Sequence, residues 1–424
     1  MKETVLIFSR NGYTSVLDDN KALFHELHDK DIIFALSVRA TSIPPADAYK
    51  ELHIIEMIDN EAFIEQWLEA LSLKHSVSAV IAMDEQCIYP AALARAYFQL
   101  PGLQPDAAEM VRNKNTMKEW ARKSSVRCPD YLTSENPESL RHFFSKHTRV
   151  VCKPLDGMGS KETTIISSMA DLDNTITQLV EDNRLGKFIF EEFIPADIYH
   201  LDGLYFNNEL VFSSLGSYVE PPVYFAESIG QTTNLIHKGA LFDKANVALC
   251  DIMTSFGLES GVFHFEFFYY QDTVVFCEIG LRPAGGGIVE AIKYQLGVDL
   301  NREMVRISLG LTPSQPTSTF EYAKVVSLFA HDEGEIVSIS SIEDFNPSVY
   351  PFVKINRCLG QQNRPPRHNT DFVATFAMVD NDPDNLEMKA LALYDLFDCQ
   401  ITSAPVVEPK ERNLSEHSTL ETPE

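Results

Sequence analysis

Two glutamates in the most apolar part of this sequence are the residues best placed to do chemistry. Glu266 lies within VFHFEFFYY and Glu278 within TVVFCEIG, and an unpaired carboxylate inside such strands is costly. A two-residue turn at Gln271-Asp272 would put the carboxylates on opposite faces of a hairpin, and the argument for a metal site would then fail. A three-residue turn would put both carboxylates on one face. We therefore predict an odd-length turn and a Mg²⁺ site. The alternative is two glutamates in local ion pairs.

An arginine and a glycine run follow the second glutamate in EIGLRPAGGGIVEAI. Arg282 can spread its charge over the oxygens of a transferring phosphoryl group. Gly285, Gly286 and Gly287 open a predicted helix, and a helix N-terminus is a ready site for a carboxylate or an acyl phosphate. A triple glycine alone is weak evidence, but its position just after Glu278 and Arg282 makes it the strongest local signal in the chain.

A lysine and a glycine loop occur earlier, in KPLDGMGSKETTII. Lys153 is predicted at the end of a buried strand, before the loop Gly157-Met158-Gly159-Ser160. Glycines let backbone N–H groups turn toward a phosphate, and the lysine adds positive charge for the same phosphate. The alternative is an ordinary hairpin turn beside a surface lysine.

Two more carboxylates, Glu191 and Glu192, interrupt the apolar segment FIFEEFI at residues 188–194. A strand that leaves its sheet here, before Pro195, can offer backbone N–H and C=O groups to the edge of an adenine. The alternative is an edge strand with solvated glutamates.

Apolar periodicity predicts the elements that hold these residues. Buried parallel strands are predicted at 5–8, 32–38 and 79–83, with helical spacing at 20–30 and 61–73, which together indicate a βαβ sheet over about residues 1–112. The remaining predictions are helices at 88–102, 114–124, 242–256 and 384–397; strands at RVVCKP, TTII, FIFEEFI, YHLDGLYF and ELVFSSLG; a hairpin turn at Asn207-Asn208; and a disordered polar tail from residue 404.

Composition excludes several classes of protein. The net charge of -26 argues against a nucleic-acid partner, and no cluster of Lys and Arg supplies a basic patch. No apolar run is long enough for a membrane span, and the short apolar run at residues 5–8 does not fit a secretory signal. The seven cysteines include no C-x-x-C pair, which predicts reduced thiols in a cytoplasmic protein and argues against a zinc site.

The order of these segments resembles the ATP-grasp superfamily over about residues 3–400. The segments that carry the resemblance are MDE at 83–85, PG at 101–102, RNKNTMK at 112–118, the KP–glycine loop, FEEFI, H-x-E at 264–266 and E-I-x-x-R at 278–282. The twelve-residue gap between the two glutamates is similar to that of biotin carboxylase. One such motif is weak evidence, but the occurrence of all of them in this order is specific.

The resemblance implies a role for each matching residue. Lys114 and Lys153 would contact ATP phosphates, and the 157–160 loop would close over them. The backbone of Glu191 and Ile194, beside Glu192, would hold the adenine. Glu266 and Glu278 would hold one or two Mg²⁺ (or Mn²⁺), and Arg282 would stabilise acyl-phosphate formation and then the tetrahedral intermediate.

Two positions depart from the family pattern. Gly280 stands where many members have an asparagine that contacts metal, so the number of metals stays open. The ribose contact falls near Asp197 instead of on a glutamate. Within the superfamily, the glycine run and the C-terminal segments most resemble the L-amino-acid ligase and carnosine-synthase branch, in which Glu220 and Ser228 would be candidates for substrate contacts.

The resemblance implies an α/β protein with the ATP-grasp fold. We expect an N-terminal βαβ domain (1–115), an ATP-grasp domain (116–320) with an antiparallel lid at about 125–205, a C-terminal α+β subdomain (321–403) and the tail (404–424). The expected activity is ATP-dependent amide formation between a carboxylate and an amine, both small molecules and most simply amino acids, through an acyl phosphate. The alternatives are a carboxylase or kinase and a non-catalytic nucleotide-binding regulator. The identities of the acid and amine and the oligomeric state, with a homodimer as one option, stay open.

Overall fold

The computed structural model of this chain describes residues 2–317 and 319–403. The predicted disordered tail at 404–424 lies outside the described residues. No helix in the described ranges combines the length and the apolar character that a membrane crossing requires.

The N-terminal region forms a four-stranded parallel sheet with the order β3-β2-β1-β4. Its three predicted strands are confirmed, and every residue of β1 is buried. The strand at 51–55 was missed, because its polar residues and partial exposure hide its pattern. Its elements are β1 (Thr4–Ser9), β2 (Asp31–Ser37), β3 (Glu51–Ile55), α1 (Glu61–Ser72), β4 (Val77–Ala82), α2 (Ile88–Phe98), α3 (Pro105–Met110) and α4 (Lys114–Ala121).

The predicted helix at 20–30 is wrong. Only one short 3₁₀ turn, His25–Leu27, forms there. The carboxylate of Asp18 accepts hydrogen bonds from the N–H groups of Asn20 and Ala22 at 2.9 and 3.0 Å, and Lys21 is left-handed. An Asx turn of this kind competes with helix formation, and the sequence period does not report it.

A second, antiparallel sheet with the order β5-β8-β6-β7 carries the glycine loop. Strand β8 is an inner strand, paired with β5 on one side and β6 on the other, so the edge-strand interpretation of FIFEEFI is wrong. The elements are β5 (Tyr131–Leu132), α5 (Pro137–His147), β6 (Val150–Pro154), β7 (Thr164–Ile166), α6 (Met169–Glu181) and β8 (Phe188–Glu192).

The rest of the described chain builds an eight-stranded sheet, β13-β12-β9-β10-β11-β14-β18-β16, and a small sheet, β17-β15-β19. The large sheet contains strands from both sides of residue 320 in the sequence, where a domain boundary was predicted. That boundary stays a prediction. The elements are β9 (Ile198–Phe206), β10 (Glu209–Tyr218), β11 (Gly230–Ile236), α7 (Ala240–Ser255), β12 (Gly261–Tyr270), β13 (Thr273–Gly280), α8 (Ile288–Leu296), α9 (Leu300–Ser308), β14 (Tyr322–Leu328), β15 (Gly334–Ile339), β16 (Phe352–Ile355), β17 (Gln362–Asn363), β18 (Ala374–Asp380), α10 (Pro383–Leu396) and β19 (Cys399–Ser403).

Alternation along β12 separates the core from the chemistry. Phe263, Phe265 and Phe267 are fully buried and pack in the core that includes α7. Because successive side chains of a strand point to opposite faces, His264 and Glu266 lie on the other face of the sheet. The predicted Asn207-Asn208 turn between β9 and β10 is confirmed, with both residues left-handed as a tight hairpin requires.

The β12–β13 hairpin corrects the prediction about its turn. It closes with two residues, Gln271 and Asp272, and not with an odd number. A β-bulge then shifts the register between Glu266 and Phe267, so that Glu266 lies directly opposite Glu278. Because a bulge inserts one extra residue in one strand, it restores the shared face that the short turn alone would have removed.

Candidate active site

One pocket between the β5-β8-β6-β7 sheet and the eight-stranded sheet gathers most of the predicted residues. It is bounded by β6, the glycine loop and β8 on one side, and by β12 and β13 on the other. The predicted residues that line it are Lys114, Lys153, Gly157, Met158, Gly159, Ser160, Glu191, Glu192, Ile194, Glu266 and Glu278.

A buried ion triad forms one wall of the pocket. Glu191, 4% exposed, lies with one carboxylate oxygen 3.1 Å from Lys153 Nζ and the other 3.2 Å from Lys118 Nζ. Lys118 also donates a 3.1 Å hydrogen bond to the carbonyl of Cys277 in the bulge. The triad therefore ties α4, β6, β8 and β13 together, and the surface-lysine interpretation of Lys153 is wrong.

The triad favours the charged forms of Lys153 and Glu191. Burial lowers the pKa of Lys153, but the charge of Glu191 outweighs it and holds that pKa above its ordinary value. Burial raises the pKa of Glu191, but Lys118 and Lys153 together hold it below its ordinary value. Lys153 can therefore present a fixed positive charge to a phosphate.

Sequence reasoning missed Lys118, although a signal for it was present. It lies four residues after Lys114 on α4, and residues at that spacing share one face of a helix. A lysine on an amphipathic helix is usually solvated, which is why the sequence alone did not single it out.

The two hairpin glutamates lie at the floor of the pocket. Glu278 Oε2 is 3.5 Å from Lys114 Nζ, and Lys114 donates a 2.7 Å hydrogen bond to the carbonyl of Gly157 in the glycine loop. Burial raises the pKa of Glu278, but Lys114 and Lys153 outweigh it and lower the pKa to about 2. Two opposed carboxylates in a pocket that lysines also line match the oxygen ligands that Mg²⁺ prefers, so the residues present fit that ion.

A buried hydrogen-bond network lies behind Glu266. Asp202 is fully buried, with its carboxylate accepting from Nδ1 of His200 and from Nδ1 of His264, the latter at 2.7 Å. His264 Nε2 is 3.4 Å from Glu266 Oε1, which also accepts a 3.1 Å hydrogen bond from the hydroxyl of Tyr218. The network orients the Glu266 carboxylate from two directions.

Replacing Asp202 with asparagine should lower the free energy of unfolding by about 3 kcal/mol, because both imidazoles lose a charged acceptor in a dry environment. Urea unfolding followed by circular dichroism measures the change. The control is Glu209→Gln, an exposed carboxylate at the start of β10, which should change stability by less than about 0.5 kcal/mol. Equal losses in the two variants would contradict the importance of the network.

Arg282 and the glycine run lie next to the pocket, outside its lining. Arg282 Nε is 2.6 Å from a carboxylate oxygen of Glu85. Gly286 and Gly287 both adopt left-handed backbone conformations, and Gly287 caps α8. A Cβ at Gly287 would lie 2.6 Å from the Thr375 methyl group, so close packing as well as conformation requires glycine there.

Three predicted contacts are not among the residues that line this pocket. Asp197 and Glu220 are exposed. Ser228 is buried and donates a 2.8 Å hydrogen bond to the carbonyl of Gly230. The neighbouring segment Pro221–Tyr224, between Glu220 and Ser228, does line the pocket. The roles of Asp197, Glu220 and Ser228 stay predictions.

Comparison with known proteins gives low identity and a close structural match. No protein-family model matches the chain. The chain is 24% identical over 250 residues to the L-arginine-specific L-amino acid ligase of Bacillus subtilis, a match that covers 57% of this chain and 60% of that protein. It is 23% identical over 287 residues to the dapdiamide A synthase of Enterobacter agglomerans, covering 62% and 65%. The aligned parts thus span less than two thirds of these relatives.

The fold comparison covers nearly the whole chain. The L-amino acid ligase structure from Bacillus licheniformis superposes on 95% of this chain and 99% of its own, with a TM-score of 0.75 and 14% identity. At that identity the likeness establishes the fold. A parallel N-terminal sheet, an antiparallel sheet carrying the glycine loop and a large antiparallel sheet carrying paired carboxylates agree with it. This chain has the ATP-grasp fold.

Proposed function

We propose that this protein is an ATP-dependent ligase that joins a carboxylate to an amine and releases ADP and phosphate. The observation that carries the proposal is the convergence of Lys114, Lys153, Glu266 and Glu278 on one pocket. Two lysines suit the phosphates of a nucleotide, and two opposed carboxylates suit the cation that accompanies it. The names of the matched relatives support the same reaction class.

The proposed reaction has two displacements. An oxygen of the substrate carboxylate attacks the γ-phosphorus of ATP, ADP leaves, and an acyl phosphate forms. The amine then attacks the acyl carbon, phosphate leaves, and the nitrogen loses a proton. A free carboxylate is a poor electrophile, so phosphorylation supplies the leaving group that amide formation needs.

Each protein group has a place in this scheme. Lys114 and Lys153 bind and orient phosphate oxygens, and Arg282 offers its guanidinium to the transferring group and then to the tetrahedral intermediate. Mg²⁺ or Mn²⁺, when held by Glu266 and Glu278, supplies positive charge against the phosphates. The segment at about 125–205 acts as the lid that keeps water from the acyl phosphate.

The proposed substrates are amino acids, and the product is a dipeptide or a related amide. The names of the Bacillus subtilis and Enterobacter agglomerans relatives favour this class. Glu220 and Ser228 remain proposed substrate contacts on this view, and the adenine lies against the backbone of Glu191 and Ile194. All seven cysteines are free thiols, which supports the proposal that the enzyme acts in the cytoplasm.

The test is release of ADP and phosphate from Mg-ATP across a matrix of amino acids, singly and in pairs, with Glu278→Ala beside the native protein. We expect release with particular pairs only, and none in the variant. Release with one acid and no amine would indicate a kinase. Dependence on bicarbonate would indicate a carboxylase, and tight ATP binding without any release would indicate a regulator.

A further inference from the structure

The carboxylate of Glu85 joins two arginines beside the proposed active site. It follows β4 in the N-terminal sheet, and its side chain is 12% exposed. One oxygen lies 2.6 Å from Arg112 Nη1 and the other 2.6 Å from Arg282 Nε. Burial raises the pKa of Glu85, but Arg282 and Arg112 outweigh it and hold it below its ordinary value. Both oxygens of Glu85 are therefore used by guanidinium groups.

These contacts determine which part of Arg282 is free for substrate. Its Nε donates to Glu85 and its Nη1 donates a 2.9 Å hydrogen bond to the carbonyl of Pro283. No residue in the described ranges 2–317 and 319–403 accepts a hydrogen bond from Nη2. The guanidinium is thus held at two nitrogens while the third remains available for an oxygen of the reacting group. Because guanidinium is planar, fixing two nitrogens also fixes the direction of the third.

Gly280 lies directly against this arrangement. A Cβ built at residue 280 would be 3.1 Å from Glu85 Oε2 and 3.6 Å from Arg282 Cγ. Gly280 is not among the glycines with positive φ, so its backbone would accept other residues. Space, and not backbone conformation, therefore limits the side chain at this position, and the group that fills the space is the Glu85 carboxylate.

We propose that Glu85 is a positioning residue for Arg282, and that residue 280 is glycine because the Glu85 carboxylate occupies the space of a side chain there. This inference rests on the proposed function, in which Arg282 contacts the reacting group. It also accounts for glycine at position 280, where the family resemblance implies an asparagine: an asparagine side chain would meet Glu85 and displace it from Arg282.

A graded series at residue 280 tests the steric part. Gly280→Ala requires Glu85 to move by a few tenths of an ångström and should retain kcat within about tenfold. Gly280→Asn requires the carboxylate to leave and should lower kcat about 100-fold, with KM for ATP changed less than about threefold. Calorimetric binding of ATP shows that each variant is folded. Native kcat in Gly280→Asn would overturn the proposal.

A double-mutant cycle tests the coupling. Glu85→Ala should lower kcat about 100-fold, and adding Gly280→Asn to it should cost little more, because both changes remove the same contact. Losses that multiply would show that residue 280 acts independently of Glu85 and would overturn the proposal.

A spectroscopic measurement separates this inference from the ligase assignment. In protein labelled with ¹⁵N-arginine, the Nε–H resonance of Arg282 is identified by its absence in Arg282→Lys. It should be protected from solvent exchange in the native protein and in Gly280→Ala, and lose protection in Glu85→Ala and Gly280→Asn. An unprotected resonance in the native protein would overturn the inference. If the Arg282 Nε–H is protected only in the native protein and Gly280→Ala, but no amino-acid pair gives turnover, the proposed function fails and the positioning of Arg282 stands.

Discussion

A Glu278→Gln variant should lose about 10³-fold in the rate of ADP release, equivalent to about 4 kcal/mol of transition-state stabilisation. Glutamine keeps the shape of the side chain but removes its charge. It therefore weakens both the site for the cation and the contact with Lys114, which is 3.5 Å away. Steady-state kinetics with saturating Mg-ATP and an active amino-acid pair measure the loss.

A binding measurement shows whether the lost rate comes from the cation site. Titration of Mn²⁺ and ATP, followed by electron paramagnetic resonance, should show weaker Mn²⁺ binding in Glu278→Gln by at least about tenfold. The control is Glu259→Gln, an exposed glutamate just before β12, which should match the native protein in both measurements. Unchanged Mn²⁺ binding in Glu278→Gln would contradict the metal assignment of this residue.

A Glu191→Gln variant should lose about 3–5 kcal/mol of unfolding free energy, because removing one member of a buried ion group leaves the others without compensation. Lys118 is fully buried and Lys153 nearly so, and both lie within 3.2 Å of the Glu191 carboxylate. Urea unfolding compared with the native protein measures the change.

The adjacent glutamate provides a matched control. Glu192 is on the same strand and pairs with Arg127 at 2.9 Å, but its side chain is 26% exposed. Because solvent screens such a pair, Glu192→Gln should cost less than about 1 kcal/mol. Similar losses at 191 and 192 would mean that the triad contributes no more than a surface ion pair. Neither variant tests the ligase reaction, so this prediction is independent of the proposed function.

Much of the architecture could be predicted because it depends on local patterns. Continuous apolar runs predicted β1, β2 and β4, since both faces of a parallel sheet are buried. The Asn-Asn turn was predictable because few residues other than glycine accept positive φ readily. The glycine loop, the paired glutamates and Arg282 were singled out as candidate site residues from residue type and order.

The errors share one physical origin. The periodicity of apolar residues does not reveal the Asx turn at Asp18 or the bulge at Cys277, because each depends on local hydrogen bonds. The prediction that Glu266 and Glu278 share one face of the hairpin was correct, even though the predicted turn length was wrong. Even spacing of twelve residues is compatible with either an odd turn or a two-residue turn followed by a bulge.

By itself the sequence determined the alternation of strands and helices, the chemical types of the site residues and their order along the chain. Tertiary structure alone decided which charges meet. Lys118 and Glu191 are 73 positions apart, and Glu85 and Arg282 are 197 apart, so neither pair leaves a periodic signal. Each pair forms because the fold brings elements that are distant in the sequence together in a largely buried space, where a charge must find a partner or remain at high cost.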